Sequence, residues 1–436
     1  MNKNRRIFVF FLLSGILLLF RQYNGDHWAF IKFISGLPGA ERVVVARLAK
    51  SQQDGLFSSG GLLGLVDSQE GWKFGSEIAN HQYEIYQTGQ AIQSYLVYKS
   101  HPGFQGVIFG LFDILTNFPP TVNLKIFGTS VAFVSSIVIA LIAAVIAVEF
   151  GWLAGTLVLL FAVISEWMII PAGNLYWNLW AFYLPFVYGI FMLANASKRK
   201  NFLAWKIYFA VFSTILIKIL FTGFEIITTA LVMSTVPFVY FATRDKWGWK
   251  LLAKRSVILG SVLALATIAG LGILILQITA SEGSLSSGVE YVTDTFNRRA
   301  AGNPDDYKGI YAESLRSSHL VVIKKYLNSY AMVISTGEKD ISVAYWHLIV
   351  IFGLFTALYL FKHRIGLHIN NHRTGIALLI STWYSIAAPL SWYIIFKATS
   401  YIHTNLFPLA WQMPFVLLGF ALCGYVIQDM FKKETI

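Results

Sequence analysis

Long apolar stretches recur from one end of this chain to the other, and they constrain its fold more than any other feature. A helix needs roughly 20 apolar residues to cross the ~30 Å hydrocarbon core of a bilayer. Ten candidate spans lie at residues 6–20, 126–148, 151–170, 175–196, 203–221, 225–242, 256–279, 342–361, 374–396 and 405–427. Only 13% of the residues are charged, whereas soluble domains carry about 25%. We therefore predict an all-α polytopic membrane protein in which residues 1–436 form one integral membrane domain.

The charges on the connecting segments decide between ten and eleven crossings. The stretch 104–118 is apolar but short, and Asp113 interrupts it. If this stretch does not cross, the segments on one side of the membrane hold 17 Lys or Arg against 4 acidic residues. Because Lys and Arg concentrate on cytoplasmic loops, we predict ten spans with both termini in the cytoplasm. The stretch 104–118 then lies on or dips into the outer membrane surface. The formal charge of +12 follows from this topology and predicts no nucleic-acid partner.

Two large segments face outward in this topology. Residues 21–125 form a large first extracytoplasmic loop with juxtamembrane helices, and residues 280–341 form the second. Within the second, apolar residues recur every three or four positions from Leu315 to Val333, which predicts a helix packed over the outer surface or a lid over an acceptor site. Since the cytoplasmic loops are short, we expect the function on the extracytoplasmic face.

Lys218 and Glu225 are ionisable residues at the outer ends of the fifth and sixth predicted spans. Such residues are costly within a membrane and indicate function by default. One interpretation is an ion pair that closes a tight helical hairpin. The other is that Lys218 contacts an anion, such as a lipid phosphate, at the level of the outer headgroups. The sequence leaves both open.

Asp26 follows the first span by about six residues, in Asn24-Gly25-Asp26-His27-Trp28. A carboxylate at the membrane boundary can act as general base towards an acceptor hydroxyl that arrives from the aqueous side. The alternative is a structural role, because Asp is a favoured N-cap before an apolar run.

The order of these parts resembles the GT-C superfamily of polytopic glycosyltransferases, which use polyprenyl-phosphate-linked sugars. The resemblance rests on Asp26 after the first span, on Tyr98-Lys99-Ser100-His101-Pro102-Gly103 late in the first loop, and on the Phe150-Gly151 turn between the second and third spans. Asn174-Leu175-Tyr176-Trp177-Asn178 is similar to that family's outer turn before the fourth span. The match covers roughly residues 1–200 by architecture.

The resemblance implies inverting sugar transfer on the outer face with Asp26 as the base. The chain departs from the pattern in two places. His27 follows Asp26 where some members have an acidic residue, and the first loop contains no Asp-x-Asp. A metal-dependent mechanism is therefore not expected; no metal ligands are assigned, and the cofactor is unknown.

A lipid-linked phosphate needs cations near the outer surface. The topology offers Lys99, His101, Lys218, Lys397 and His403. His27, beside Asp26, and Glu225, beside Lys218, complete the predicted substrate-binding set. For each cation, the alternative is a snorkelling or capping role.

The sequence thus predicts a glycosyltransferase of the cytoplasmic (inner) membrane. Its donor would be a polyprenyl-phosphate-linked sugar, and its acceptor a glycan, lipid or protein hydroxyl. One alternative is an O-antigen-type polysaccharide polymerase, but such enzymes keep their largest outer loop late, and here it comes first. The other is a lipid or glycan transporter, which predicts internal repeats and charged residues at mid-membrane.

Overall fold

The computed structural model describes residues 3–25, 38–67, 76–199, 204–335, 340–364 and 372–431. The helices are α1 Lys3–Tyr23, α2 Arg42–Asp54, α3 Ser76–Thr88, α4 Phe104–Thr116, α5 Pro120–Phe150, α6 Trp152–Ile164, α7 Glu166–Gly173, α8 Leu179–Arg199, α9 Ala204–Thr222, α10 Ile227–Arg244, α11 Trp249–Glu282, α12 Leu285–Phe296, α13 Ile310–Arg316, α14 His319–Leu327, α15 Tyr345–Arg364, α16 His372–Ser385, α17 Ala387–Ile395, α18 Lys397–Ile402, α19 Leu409–Trp411 and α20 Leu417–Met430. The strands are β1 Gly64–Val66, β2 Tyr95–Val97, β3 Tyr330–Ser335 and β4 Asp340–Ala344.

Over these residues, eight helical stretches are long and apolar enough to cross a membrane. They are Lys3–Tyr23, Pro120–Phe150, Leu179–Lys198, Trp205–Thr222, Trp249–Glu282, Tyr345–Lys362, His372–Ile395 and Leu409–Met430. The pair α6 and α7 makes a ninth if it is counted as one span bent by 67°. This architecture agrees with an all-α polytopic membrane protein, while the number ten stays a prediction. At the place of the sixth predicted span stands α10, whose Pro237 and four Thr or Ser residues in Thr228-Thr229 and Ser234-Thr235 dilute its apolar character.

Small residues let the helices of the bundle approach closely, as is usual for helices packed in membranes. A Cβ added at Gly15 in α1 would lie 3.0 Å from the Ala140 Cβ in α5. One added at Gly424 in α20 would lie 2.5 Å from the Ala154 Cα in α6. Substitution at either position would push two spans apart.

The seventh predicted span is longer than expected. Helix α11 runs for 34 residues, about 51 Å at 1.5 Å per residue, which exceeds the ~30 Å core of a bilayer. Its last turns support the segment predicted as the first extracytoplasmic loop, which we call the first outer loop; the second is named in the same way. The main-chain oxygen of Gln277 lies directly against Gly60, and Gln277 Nε2 donates to the Pro102 oxygen at 2.9 Å.

The first outer loop folds into helices α2 to α4 and the antiparallel pair β1–β2, in which Leu65 faces Leu96. The 13-residue helix α4 is shorter than a span, and Asp113, which interrupts its apolar sequence, is buried. The Asp113 carboxylate accepts hydrogen bonds from the Tyr86 hydroxyl at 2.6 Å, from Gln52 Nε2 at 2.8 Å and from Asn123 Nδ2. Asp113 therefore anchors α4 to the loop and to α5. The predicted position of α4 on the outer membrane surface stays a prediction.

The second outer loop differs from the helix predicted over Leu315 to Val333. Helix α14 ends at Leu327, and strand β3 begins at Tyr330 and pairs with β4. The strand docks where the third span breaks: Trp167 Nε1 donates to the Tyr330 oxygen at 2.9 Å, and Ser165 Oγ donates to the Ala331 oxygen at 3.2 Å. Apolar spacing alone could not show this break, because the partners of β3 are distant in the sequence.

Candidate functional site

Lys218 is fully buried near the C-terminal end of α9, where the chain turns into α10. Its ammonium donates to the main-chain oxygens of Gly223 at 2.9 Å and of Glu225 at 2.5 Å. The turn requires left-handed backbone at Gly223 and Ile226. Lys218 thus closes the hairpin, as the structural interpretation expected, but it does so through carbonyl oxygens. No salt bridge joins the two side chains of Lys218 and Glu225, both of which the structure describes.

The Glu225 carboxylate faces a different cation. Arg299 Nη1 lies 3.8 Å from Glu225 Oε1, and Arg299 Nη2 donates to Ser100 Oγ at 3.3 Å. Ser100 Oγ in turn lies 2.7 Å from the Tyr291 hydroxyl. Burial lowers the pKa of the Arg299 guanidinium, but the Glu225 carboxylate and nearby tyrosines more than offset this, and the pKa is raised. Arg299 therefore remains a cation where the two outer loops meet the membrane-spanning helices.

His101 is fully buried in the same region. Its Nδ1 accepts a hydrogen bond from the Gly103 amide at 2.9 Å, while its Nε2 has no hydrogen-bond partner. Burial, with a smaller contribution from Lys218, lowers the pKa of His101 to about 3. The ring is therefore neutral, and it would meet an anion as an N–H donor and not as the cation that was expected.

Tyr98 and Tyr176 form the wall beside His101. The His101 and Tyr176 ring centres are 5.0 Å apart, and the hydroxyls of the two tyrosines are 3.2 Å apart. Tyr176 belongs to the outer turn 174–178 after α7. This turn is held from its other side by Glu41, whose Oε2 accepts from the Leu175 amide at 3.3 Å.

Lys99 and His403 lie at the edge of this arrangement. Lys99 pairs with Glu282 at the end of α11 and places its ammonium 5.6 Å from the Tyr291 ring centre. His403 is exposed and interacts electrostatically with both Glu225 and Arg299. The structure therefore gathers Lys99, His101, Lys218, Glu225 and His403 from the predicted set.

Lys397 is engaged elsewhere. Its ammonium donates to the Leu315 oxygen at 2.7 Å, at the last turn of α13. A cation is favourable at that end of a helix because the carbonyl groups give it negative character. This is the capping role that the sequence analysis kept as an alternative for Lys397.

Asp26 and His27 lie outside the described residues. The end of α1 lies beside the outer turn, because a Cβ added at Gly173 would lie 2.8 Å from the main-chain oxygen of Tyr23, the last residue of α1. Three residues along from Gly173, Tyr176 reaches the cluster around His101. The first span therefore ends next to the turn that supplies one wall of this cluster.

Arg299 is the main residue that sequence reasoning missed. It occurs in the pair Arg298-Arg299 within a long polar loop, and nothing in the local pattern distinguishes the two. Their partners do distinguish them: Arg299 contacts Glu225 and Ser100, whereas the Arg298 guanidinium lies over the Tyr311 ring. Ser100 lies between Lys99 and His101, both of which were predicted site residues. The segment 98–103 was therefore the sequence signal that could have identified it.

Among the described ranges, no group of three or more His, Cys, Asp or Glu side chains is arranged to hold a metal ion. Comparison of the chain with family models, with curated proteins and with solved structures gave no match in any of the three. The functional argument therefore depends on the geometry of this cluster, which we call the outer cluster: Ser100, His101, Lys218, Glu225 and Arg299.

Proposed function

We propose that the protein is a membrane glycosyltransferase of the GT-C type. It would transfer a sugar from a polyprenyl-phosphate-linked donor to a glycan, lipid or protein hydroxyl on the extracytoplasmic face. The observation that carries the proposal is that Lys218, His101 and Arg299 all contact the turn between α9 and α10: Lys218 and His101 at Gly223, and Arg299 at Glu225.

The depth of Lys218 suits a lipid phosphate. Lys218 precedes the end of α9 by four residues, about 6 Å along the helix axis. In the predicted topology this is close to the outer headgroups. A polyprenyl phosphate can therefore bring its phosphate to the outer cluster while its chain stays in the bilayer.

The charges suit the leaving group. When the bond from the anomeric carbon to the phosphate oxygen breaks, the lipid phosphate departs with the electron pair and needs no proton. It needs fixed positive charge and hydrogen-bond donors, which act most strongly where water is excluded. Lys218 and Arg299 supply the charge, and their carbonyl, carboxylate and hydroxyl partners hold them in place.

Asp26 is the proposed general base. It would take the proton of the acceptor hydroxyl as the acceptor oxygen attacks the anomeric carbon from the face opposite the phosphate, which inverts the configuration. Support comes from the first span, which ends at Tyr23 beside Gly173 and the outer turn. General base catalysis contributes typically 10²–10⁴-fold.

The test is Asp26→Asn in the full chain, reconstituted in nanodiscs with a polyprenyl-phosphate sugar and a hydroxyl acceptor. We expect turnover to fall by at least about 100-fold while binding of the donor stays unchanged. Asp54→Asn, an exposed carboxylate of the same loop, is the matched control and should keep full turnover. Full turnover in Asp26→Asn with normal expression would overturn the assignment. A ladder of repeating units in the product, instead of a single added sugar, would favour the polymerase alternative.

One observation favours a second candidate, a lipid or glycan transporter. The third span breaks at Ser165, and the next residue, Glu166, is buried with one carboxylate oxygen that has no hydrogen-bond partner. Transporters commonly bind substrates at such discontinuous helices. Proteoliposomes that move a fluorescent lipid-linked sugar across the bilayer without producing a transferred product would identify this function.

A further inference from the structure

His101 carries a buried hydrogen-bond donor that no described residue satisfies. The Gly103 amide donates to Nδ1 at 2.9 Å, so Nδ1 carries a lone pair and not a hydrogen. In a neutral imidazole the hydrogen is then on Nε2. Nε2 is fully enclosed and has no partner. A buried donor without an acceptor loses its hydrogen bond to water and gains none in return, so it calls for a specific explanation.

The ring is held in one position. A Cβ added at Gly223 would lie 2.9 Å from His101 Cδ2, so the turn after α9 presses directly against the ring edge beside Nε2. The Tyr176 ring packs on another side. Gly223 also provides the carbonyl oxygen that Lys218 binds, so His101, Gly223 and Lys218 form one continuous unit. The unpaired N–H is therefore fixed beside the ammonium of the outer cluster.

We propose that His101 Nε2–H donates a hydrogen bond to a phosphate oxygen of the lipid-linked donor while the ring stays neutral. This inference rests on the proposed function and refines it. Lys218 and Arg299 provide the positive charge, whereas His101 provides direction, because a single N–H in a fixed ring can donate to an oxygen in one position only.

A neutral ring suits this place better than an imidazolium would. Burial and the ammonium of Lys218 both disfavour a second positive charge here, and they lower the pKa of His101 to about 3. In the transfer step, the bond between the anomeric carbon and the phosphate oxygen breaks and the phosphate keeps the electron pair. His101 keeps its proton throughout, so it polarises the departing oxygen without acting as an acid.

The experiment measures binding of a polyprenyl phosphate to the full chain in phosphatidylcholine nanodiscs. The variants are His101→Phe, which removes the donor, and His101→Gln, whose amide restores one. His319→Phe and His319→Gln, at an exposed position of α14, are the matched controls. We expect His101→Phe to weaken binding about tenfold or more, since hydrogen bonds to charged groups are the stronger ones. His101→Gln should stay within about threefold of the wild type, and the controls should not change.

The pH dependence separates a neutral donor from a cation. Lys218 and Tyr176 act directly on His101. The other charged and titratable groups interact with these two or with one another, and they are Tyr98, Glu225, Arg299 and His403. Their effects are common to the wild type and to His101→Gln. They therefore cancel in the dissociation constant of His101→Gln divided by that of the wild type. We expect this ratio to be constant between pH 5 and 8. A ratio that grows as the pH falls below about 6.5 would identify the ring as a cation and overturn the inference.

The remaining outcomes are distinct. If the wild type binds polyprenyl phosphate and His101→Phe binds it equally well, the inference fails and the proposed function stands. If the wild type binds polyprenyl phosphate no better than the uncharged polyprenol, the proposed function fails and the inference fails with it. Competition by inorganic phosphate at the same concentration would assign the N–H to free phosphate and overturn the lipid-linked assignment. Should His101→Phe fail to fold, His101→Met, which also lacks a side-chain N–H, takes its place in the same titration.

Discussion

Arg299 Nη2 donates a hydrogen bond to Ser100 Oγ at 3.3 Å, which joins two residues 199 positions apart in the sequence. The same guanidinium faces the Glu225 carboxylate, so one side chain of the second outer loop connects the first outer loop to the start of α10. The outer cluster is therefore complete only when both loops are folded onto the helix ends.

Replacing Arg299 by Gln should weaken binding of polyprenyl phosphate about tenfold or more, because a charge-assisted contact is lost. It should also speed hydrogen exchange in residues 285–301, which lose one of their two links to Ser100 and keep the one from Tyr291. Arg316→Gln, at an exposed residue paired with Asp305, is the control and should change neither quantity. Unchanged binding with faster exchange would limit Arg299 to a structural role.

Replacing Lys218 by Met should lower the free energy of unfolding by about 2–6 kcal/mol. The oxygens of Gly223 and Glu225 would lose their donor in a buried place, and each unsatisfied group costs about 1–3 kcal/mol. The same variant should lose binding of polyprenyl phosphate. Lys206→Met, exposed at the other end of α9, provides the comparison and should behave as the wild type. Denaturation in nanodiscs and a binding titration measure the two effects, and a Lys218→Met protein that binds normally would contradict the proposed role.

Gly60→Ala should destabilise the first outer loop more than Gly89→Ala does. The two glycines have nearly the same positive φ, 66° and 68°, so both variants incur strain of about 1–2 kcal/mol. At Gly60 the added Cβ would also lie 2.1 Å from the main-chain oxygen of Gln277, whereas at Gly89 it would meet nothing within 4 Å. We expect an additional loss of about 1–3 kcal/mol at Gly60. Equal unfolding temperatures of the two variants would show that the loop does not pack on α11 as described.

His101 should make the stability of the protein depend on pH in acid. Its folded pKa of about 3 lies below its ordinary value of about 6.5, so the unfolded chain binds the proton more readily. The stability is complete above pH 6.5 and falls as the pH drops from 6.5 towards 3, by at most about 1.4 kcal/mol per pH unit. The difference in unfolding free energy between the wild type and His101→Gln isolates this contribution. A difference that does not vary between pH 7 and pH 5 would contradict it.

The predicted orientation can be tested with single cysteines, since the native Cys423 is buried. Ser286→Cys, in α12, should react with a membrane-impermeant maleimide in intact cells. Lys250→Cys, at the other end of α11, should react only after the cells are made permeable. The reverse pattern would place the outer cluster in the cytoplasm and exclude the proposed function.

The sequence predicted helices and turns correctly where their formation depends on residues close together in the chain. Apolar length located the long helices, and Gly151 ends α5 with positive φ at the predicted Phe150-Gly151 turn. The short apolar stretch 104–118 forms the 13-residue helix α4, whereas the three hydrogen bonds of Asp113 could not be foreseen from the sequence. The helical spacing of apolar residues gave a wrong prediction at Tyr330–Ser335. A strand replaces the expected helix there, because β3 is stabilised by β4 and by Trp167.

The sequence by itself determined that the chain is a helical membrane protein and that Lys218 and Glu225 stand near a helix end. Both follow from transfer of side chains between water and lipid, which is close to a sum over single residues. Only the tertiary structure decided that the Lys218 ammonium binds carbonyl oxygens, that Arg299 faces Glu225, and that His101 is neutral with its Nε2–H unpaired. These properties depend on distance, burial and hydrogen-bond direction between segments far apart in the chain, and such terms have no counterpart in a sum over residues.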